Sequence, residues 1–179
     1  MKKIIIALTV LLFCVATKAQ TFTPTDAGSK VHFVIKNFGI KTGGDFTGLA
    51  GSIIFNPKAL NTSKFIVTVN AATINTDNST RDKHLKKSEY FDVTKYPLIS
   101  FTSTQIIEST SAGRFYVVGN LTIKNITKVV QFGFSADFKD NSYFFKGGFD
   151  INRKDFGVGG SSMSMSDNLT ISLEIVANK

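Results

Sequence analysis

Apolar and polar residues alternate along most of the chain, which is the pattern of β-strands with one buried face. Eight such segments follow one another, separated by short turns that contain Asn, Asp, Gly or Pro. The residues that share a face in each segment are Val31, Phe33 and Ile35; Leu49, Gly51, Ile53 and Phe55; Phe65, Val67, Val69 and Ala71; Ile99, Phe101 and Ser103; Phe115, Val117, Gly119, Leu121 and Ile123; Val130, Phe132, Phe134, Ala136 and Phe138; a seventh set within residues 143–152; and Leu169, Ile171, Leu173 and Ile175. The pattern predicts an all-β domain.

Residues 78–92 break this alternation. They are mostly polar and charged, and Leu85 and Phe91 are their main large apolar residues. We expect a helical turn or short helix here that caps one end of the sheet and ends before Tyr96-Pro97.

Antiparallel strands joined by short turns form either a sandwich or a closed barrel. Four glycines at positions 43, 44, 48 and 51 favour the barrel, because glycine permits sharp bends in a strand. The predicted fold is therefore an eight-stranded antiparallel β-barrel with a short helical cap. Eight strands enclose an interior that side chains can fill or that can hold one slender ligand.

The first 19 residues have the features of a signal peptide. Lys2 and Lys3 precede a largely apolar run, Ile4 to Val15, and small residues stand before Gln20. The run is too short to span a bilayer, which needs about 20 residues. We therefore expect a mature domain of residues 20–179 that is periplasmic or secreted.

Loss of this segment would lower the net charge from +8 to +5 and remove Cys14, the only cysteine. Phe13 is bulky where lipid modification of Cys14 would need a small residue. The exported domain would thus have no disulfide and no thiolate nucleophile. Its basic surface is expected to be solvated, to meet no nucleic acid, and to be weakly attracted to anionic membrane lipids.

Catalytic and metal-binding motifs are scarce. Only two histidines are present, His32 and His84, and neither H-E-x-x-H nor G-x-S-x-G occurs. Zinc normally takes four ligands from nitrogen, sulfur or oxygen, so the sequence predicts no metal site. An enzyme of lipid metabolism, with His84 and nearby aspartates as acid and base, ranks behind binding hypotheses.

Phenylalanine is in excess, with 17 residues in the chain. Two interpretations stay open at this point. The rings either pack a filled interior, since each buries on the order of 150–250 Å², or they line a tunnel for an apolar chain.

Several ordered motifs carry a resemblance to a known family. They are Arg81-Asp82-Lys83-His84-Leu85, Tyr90-Phe91-Asp92, Tyr96-Pro97, Ile99-Ser100-Phe101, Ser29-Lys30-Val31-His32-Phe33, Gly119-Asn120-Leu121-Thr122-Ile123 with Thr127-Lys128, and Ile151-Asn152-Arg153-Lys154-Asp155-Phe156-Gly157. Together they resemble the YceI-like family of periplasmic polyisoprenoid-binding proteins over nearly the whole mature length. Three positions depart from the family pattern: Tyr90 replaces a phenylalanine, Asn125 a glycine and Asn37 a frequent histidine.

The resemblance implies a lipocalin-like barrel whose lumen takes an isoprenoid, a quinone-like lipid or another long amphiphile, without catalysis. The alternative is a structural or stress-related barrel with a filled core that acts through a protein partner. Beyond the lipid ligand, the sequence leaves open a homodimer and a transient contact with a membrane surface.

Strand alternation assigns thirteen residues to the lumen: Val31, Phe33, Ile35, Val67, Val69, Phe101, Val117, Leu121, Phe132, Phe134, Leu169, Ile171 and Leu173. The polar candidates at the barrel mouth are Asp82, His84, Arg153 and Asp155. Arg153 and Asp155, two apart on an extended segment, would point the same way. Arg153 would either contact the ligand or pair with Asp82 or Asp92 and so tie the cap to the barrel.

Overall fold

The computed structural model describes residues 20–179, and the predicted signal peptide with Cys14 lies outside the described residues. Nine strands follow in chain order: β1 (Thr21–Asn37), β2 (Ile40–Phe46), β3 (Ala50–Ile54), β4 (Lys64–Asn70), β5 (Leu98–Glu108), β6 (Arg114–Ile123), β7 (Ile126–Lys139), β8 (Ser142–Asn152) and β9 (Met165–Asn178). One α-helix, α1 (Ser79–Leu85), and three short 3-10 turns, Leu60–Thr62, Ala71–Thr73 and Arg153–Phe156, complete the described chain.

The sheet closes on itself. Each strand from β3 to β9 pairs antiparallel with the next, and β9 pairs with β1 along nearly the whole length of β1. The other edge of β1 is shared by β2 and β3, with Val31 opposite Phe46 and Thr21 opposite Ile54. Thus β2 and β3 form one bent strand, interrupted where Gly48 takes a φ of 78°. The predicted eight-stranded barrel is confirmed.

The bent strand contains the main departure from the predicted elements. Residues of β2 were not expected to form a strand, because Lys41 to Asp45 contain no large apolar residue. They pair instead because β1 extends from residue 21 to residue 37, far beyond the predicted Val31 to Ile35, and offers a long edge. A register shift between Thr25 and Lys30 lets β1 follow β9 through this bend.

Aromatic rings fill one end of the barrel, which we call the aromatic end. Its core members are Phe22, Ile53, Phe55, Phe65, Ile106, Phe115, Val117, Phe134, Phe145 and Ala177. Phe55 lies at the centre, with ring centroids 5.1 Å from Phe115 and 5.5 Å from Phe145 in edge-to-face geometry. This end of the lumen is therefore closed by packed side chains.

Residues 78–92, the cap segment, cover the opposite end. The Asn78 side chain accepts a hydrogen bond from the Arg81 amide at 2.9 Å and caps the helix. Leu85 and Phe91 pack against a second core cluster that includes Phe46, and the Phe46 and Phe91 rings are 5.5 Å apart. The predicted short helical cap is confirmed, and it seats on apolar residues of the barrel.

Candidate ligand cavity

A cavity of about 250 Å³ lies inside the barrel between the aromatic end and the cap segment. It is larger than the roughly 150 Å³ apolar cavity that can hold a benzene ring. Phe65, Phe134 and Phe145 belong both to its lining and to the aromatic core, so they form its floor. Leu85 and Phe91 of the cap segment contribute to its cover. The interior is thus filled at one end and hollow toward the other.

The cavity is elongated along the strands. Ile175 and Met165, ten residues apart on β9, both line it. With about 3.3 Å per residue and a strand tilt of about 40°, this separation corresponds to roughly 25 Å along the barrel axis. Asn37, which pairs with Met165, also contributes to the lining, so the cavity reaches the capped end of the barrel.

Twelve of the thirteen residues assigned to the lumen line this cavity: Val31, Phe33, Ile35, Val67, Val69, Phe101, Leu121, Phe132, Phe134, Leu169, Ile171 and Leu173. Val117 does not, and its assignment to the cavity wall is corrected. Its side chain is fully buried (0% exposed) within the aromatic end, where rings leave no open space. A role in ligand binding stays a prediction for the other twelve.

Part of the apolar surface of the cavity wall is not covered by other side chains. Ile35, Val67 and Leu169 sit on inward positions of their strands, yet each is only partly buried. The Phe132 and Phe149 rings stack at 4.6 Å and form one flat part of the wall. Inward side chains of a closed barrel that are only partly buried must face open space inside it. Because that space is lined by apolar side chains, it suits an apolar ligand.

Arg153 is the buried charge of the site, with 3% of its surface exposed. It lines the cavity and donates from Nη2 to Asp167 Oδ1 at 2.9 Å. Further donations go to the carbonyl oxygens of Ser166 (3.0 Å), Val158 (3.0 Å) and Gly160 (2.9 Å). The guanidinium therefore holds the β8–β9 connection against the barrel end.

The predicted partners of Arg153 are wrong, since it pairs with Asp167 and with neither Asp82 nor Asp92. The extended geometry expected for Arg153 and Asp155 is also wrong, because both lie in the 3-10 turn Arg153–Phe156. That turn points Arg153 inward and leaves Asp155 exposed.

Asp82 and His84 do not line the cavity either. Asp82 accepts hydrogen bonds from the backbone N–H and the hydroxyl of Thr76 and so fastens the start of the cap segment. His84 is exposed and packs edge-to-face on Tyr90 at 5.0 Å. The structure therefore gives both residues a place in the cap, and a ligand contact at the mouth stays a prediction for Arg153.

Arg81 and Thr76 are polar residues of the cavity lining that were not among the predicted site residues. Arg81 donates from Nε to the Thr76 hydroxyl at 2.8 Å and from Nη2 to the Thr76 carbonyl at 2.7 Å. Both residues also line a polar cleft between the cap segment and β2. In that cleft His32 Nδ1 lies 2.7 Å from Asp45 Oδ1. Arg81 opens the R-D-x-H-L motif, which was the available signal.

Metal-ligating side chains do not cluster in residues 20–179: no group of three or more His, Cys, Asp or Glu could hold an ion there. Over the same residues, no helix is long and apolar enough to cross a membrane.

Closed antiparallel strands around an apolar cavity define the class of this protein, a hollow β-barrel with a helical cap. Within that class the chain belongs to the YceI-like domain family, whose model matches residues 22–177. The family expected from the motifs is confirmed.

Three UPF0312 proteins from other bacteria are similar in sequence. A UPF0312 protein from Pseudomonas savastanoi pv. phaseolicola is 32% identical over 157 residues, covering 83% of this chain and 81% of the relative. One from Yersinia enterocolitica is 33% identical over 135 residues, covering 72% and 69%. Another, from Pectobacterium carotovorum, is 36% identical over 103 residues, and the match spans about half (52%) of that relative's length.

Solved structures share the fold. Burkholderia cenocepacia BcnA superposes with a TM-score of 0.80 at 24% identity, covering 85% of this chain and 98% of BcnA. A Campylobacter jejuni YceI protein gives 0.68 at 28% identity, covering 76% and 84%. A polyisoprenoid-binding domain from Saccharophagus degradans gives 0.68 at 13% identity, covering 90% and 99%.

Proposed function

We propose that this protein is a non-catalytic lipid-binding barrel that holds one long apolar chain, of the isoprenoid or quinone-like type, in its cavity. The observation that carries the proposal is the elongated apolar hollow between the aromatic floor and the cap. A ligand that covered the partly buried Val, Ile, Leu and Phe side chains of the wall would stabilise the protein, because it would remove apolar surface from water. The polyisoprenoid-binding name of the Saccharophagus neighbour agrees in ligand class.

Affinity would come from removing the lipid chain and the wall from water together. Each buried CH₂ contributes about 0.8 kcal/mol, or about fourfold in binding constant. Ordering a flexible chain opposes this gain. The affinity of a series of lipids should therefore rise with the length of their apolar chain until the cavity is full. It should then level off, because the packed floor at Phe65, Phe134 and Phe145 leaves no room for a longer chain.

The polar groups near the mouth suit an amphiphile better than a hydrocarbon. The Thr76 hydroxyl and the Arg81 guanidinium belong to both the apolar cavity and the adjoining polar cleft. A head group that accepts hydrogen bonds would meet the Arg81 guanidinium there while its tail remained in the barrel, whereas the Thr76 hydroxyl already donates to Asp82. We also propose that the predicted signal peptide exports the protein to the periplasm or the medium. Isoprenoid lipids are membrane components, so an exported protein could take them from a membrane surface.

Native mass spectrometry of protein purified without detergent tests the proposal. We expect a stoichiometric adduct, and organic extraction should identify it as a lipid with a long apolar chain. A bare mass that stays unchanged after incubation with polyprenols, quinones and fatty acids would overturn the lipid assignment. That result would favour the second hypothesis, a barrel that acts through a protein partner, for which the packed aromatic end is the supporting observation.

Catalysis is tested in the same sample. Lipids added before extraction should return chemically unchanged, whereas a new mass in the extract would contradict the non-catalytic part of the proposal.

A further inference from the structure

Three β-hairpins of the barrel end in the same two-residue turn, and one of them has an unusual residue. Lys124-Asn125 and Asp140-Asn141 have φ values of 50° and 63°, and of 50° and 62°. Phe38-Gly39 matches them with 50° and 75°. This left-handed geometry suits Gly, Asn and Asp, and it is a genuine outlier for a bulky residue such as phenylalanine. Folding alone gives no reason for a ring at position 38.

The Phe38 ring gains nothing from packing, since 79% of its surface is exposed. Ile40, across the turn, is 70% exposed, and Met163 in the neighbouring loop is fully exposed. The Phe38 backbone N–H donates to the Ser164 carbonyl at 2.7 Å, so the turn and the loop that contains Met163 are fixed side by side. We call these three side chains the apolar tip.

The apolar tip lies at the end of the barrel where the cavity emerges. Asn37 and Met165, which line the cavity, pair with each other across β1 and β9. Asn37 directly precedes Phe38 and also pairs with Ile40. A surface that met the apolar tip would therefore meet the mouth of the cavity as well.

The charge around the apolar tip has one sign. Lys36 and Lys41 are exposed and pair directly across β1 and β2, behind the turn. Like charges opposite each other cost stability in a hairpin, so folding does not favour this pair either. Neither residues 36–44 nor residues 156–166 contain an Asp or Glu. The surface thus combines exposed apolar side chains with an unopposed pair of cations.

We propose that the apolar tip and the Lys36–Lys41 pair form a membrane-docking surface for bilayers with anionic lipids, where the cavity exchanges its chain. Apolar side chains inserted at the headgroup level and lysines beside them are the features by which peripheral proteins bind such bilayers. The inference rests on the proposed lipid-binding function, because docking at the mouth matters only to a cavity that takes up lipid.

Vesicle co-sedimentation tests this surface. The native protein should pellet with phosphatidylserine-containing vesicles, less with pure phosphatidylcholine, and less as salt is raised. The double variant Phe38→Asn/Ile40→Thr should bind several-fold more weakly. Lys36→Ser/Lys41→Ser should lose about fivefold for each lysine on the anionic vesicles only. Ile107→Thr, an exposed isoleucine paired with Tyr116 near the aromatic end, is the matched control and should bind like the native protein.

Phe38→Asn keeps the turn foldable, since Asn-Gly is the preferred pair for this geometry, so a loss of binding cannot be ascribed to unfolding. Equal vesicle binding by native protein and double variant, or no binding by either, would overturn the proposal. A native dimer in sedimentation that becomes monomeric in the double variant, without vesicle binding, would assign the tip to a second copy and likewise overturn it.

Bound lipid separates this inference from the function on which it rests. The double variant should retain the native lipid content in native mass spectrometry but transfer its chain to acceptor vesicles more slowly. Absence of lipid from both proteins would count against the proposed function, whereas equal transfer rates would count against docking alone.

Discussion

Arg153 and Asp167 form a 2.9 Å ion pair in which the arginine is buried and the aspartate is partly exposed. The pair joins the 3-10 turn after β8 to the start of β9 and so closes the loop between them. Lys154 reaches the other carboxylate oxygen of Asp167 at 2.7 Å but is itself exposed. One carboxylate thus receives a buried and an exposed cation from neighbouring residues.

Arg153→Ala should destabilise the protein by about 3 to 5 kcal/mol, because it removes the buried partner of several carbonyl groups as well as the ion pair. Lys154→Ala, the matched control at the same carboxylate, should cost less than about 1 kcal/mol. Urea denaturation measures both. We expect the Arg153 variant to lose lipid only as far as loosening of the connection at residues 157–164 lets the ligand escape. An unchanged unfolding midpoint with abolished lipid binding would instead assign Arg153 to the ligand.

A valine-to-phenylalanine substitution should have opposite effects on stability and lipid binding in the hollow and in the filled part of the barrel. Val67→Phe adds a ring on the cavity wall, where there is open space, so it should change stability little while lowering lipid occupancy. Val117→Phe adds it where Val117 is fully buried, and such overpacking should cost about 1 to 3 kcal/mol. Native mass spectrometry and thermal denaturation check the pair. Undiminished lipid in folded Val67→Phe would show that the chain lies elsewhere.

A polar substitution distinguishes wall from floor. Phe132→Ser opens the stacked pair with Phe149 and should reduce lipid content while the aromatic end stays intact. Phe134→Ser should lower stability by about 3 to 5 kcal/mol, because Phe134 contacts Phe55, Phe65 and Phe115 in that core. Native lipid content in folded Phe132→Ser would contradict the assignment of Phe132 to the wall.

Strand alternation was sufficient to predict the barrel and the direction of most inward side chains. Val67 and Val69 could be assigned because a strand of period two leaves only two registers, and one of them buries apolar residues. The same rule could not place Val117, which faces inward like Val67 but meets packed rings. How far a lumen is filled depends on side chains from distant strands, and no local pattern contains that information.

The polar residues were harder for the same reason. The partner of Arg153 is Asp167, separated from it by a loop of Gly, Ser, Val and Met residues whose path the sequence does not determine. Asp82 was correctly placed in the cap, yet its contact with Thr76 depends on where the chain turns at Asp77, which has a φ of 57°. β2 escaped detection because its pairing follows from the length of β1.

The left-handed conformation of Phe38 predicts that a better-suited residue at this position would stabilise the fold. A non-glycine residue in the left-handed region costs roughly 1 to 2 kcal/mol, and Asn is the residue that tolerates it best after Gly. Phe38→Asn should therefore raise the free energy of unfolding by up to about 1 kcal/mol, which corresponds to about 2 to 4 °C in melting temperature. Asp140→Phe, placed in the equivalent first position of the turn after β7, where φ is also 50°, should lower it. A destabilised Phe38→Asn would mean that the ring packs against the fold after all.

Tyr143 makes the stability of the aromatic end sensitive to alkaline pH. Its ring lies 4.9 Å from Phe22 and 5.3 Å from Phe55, and burial raises the pKa of its phenol above the usual value of 10.0. Below that value the phenol is protonated in both folded and unfolded chains, so stability does not depend on it. As pH rises past about 10, the unfolded chain ionises first and the folded state loses stability.

The urea midpoint should therefore fall between about pH 9 and 11 in the native protein and fall less in Tyr143→Phe, which retains the ring and the other tyrosines. Parallel pH profiles for the two proteins would show that the phenol is as well solvated in the barrel as in the unfolded chain.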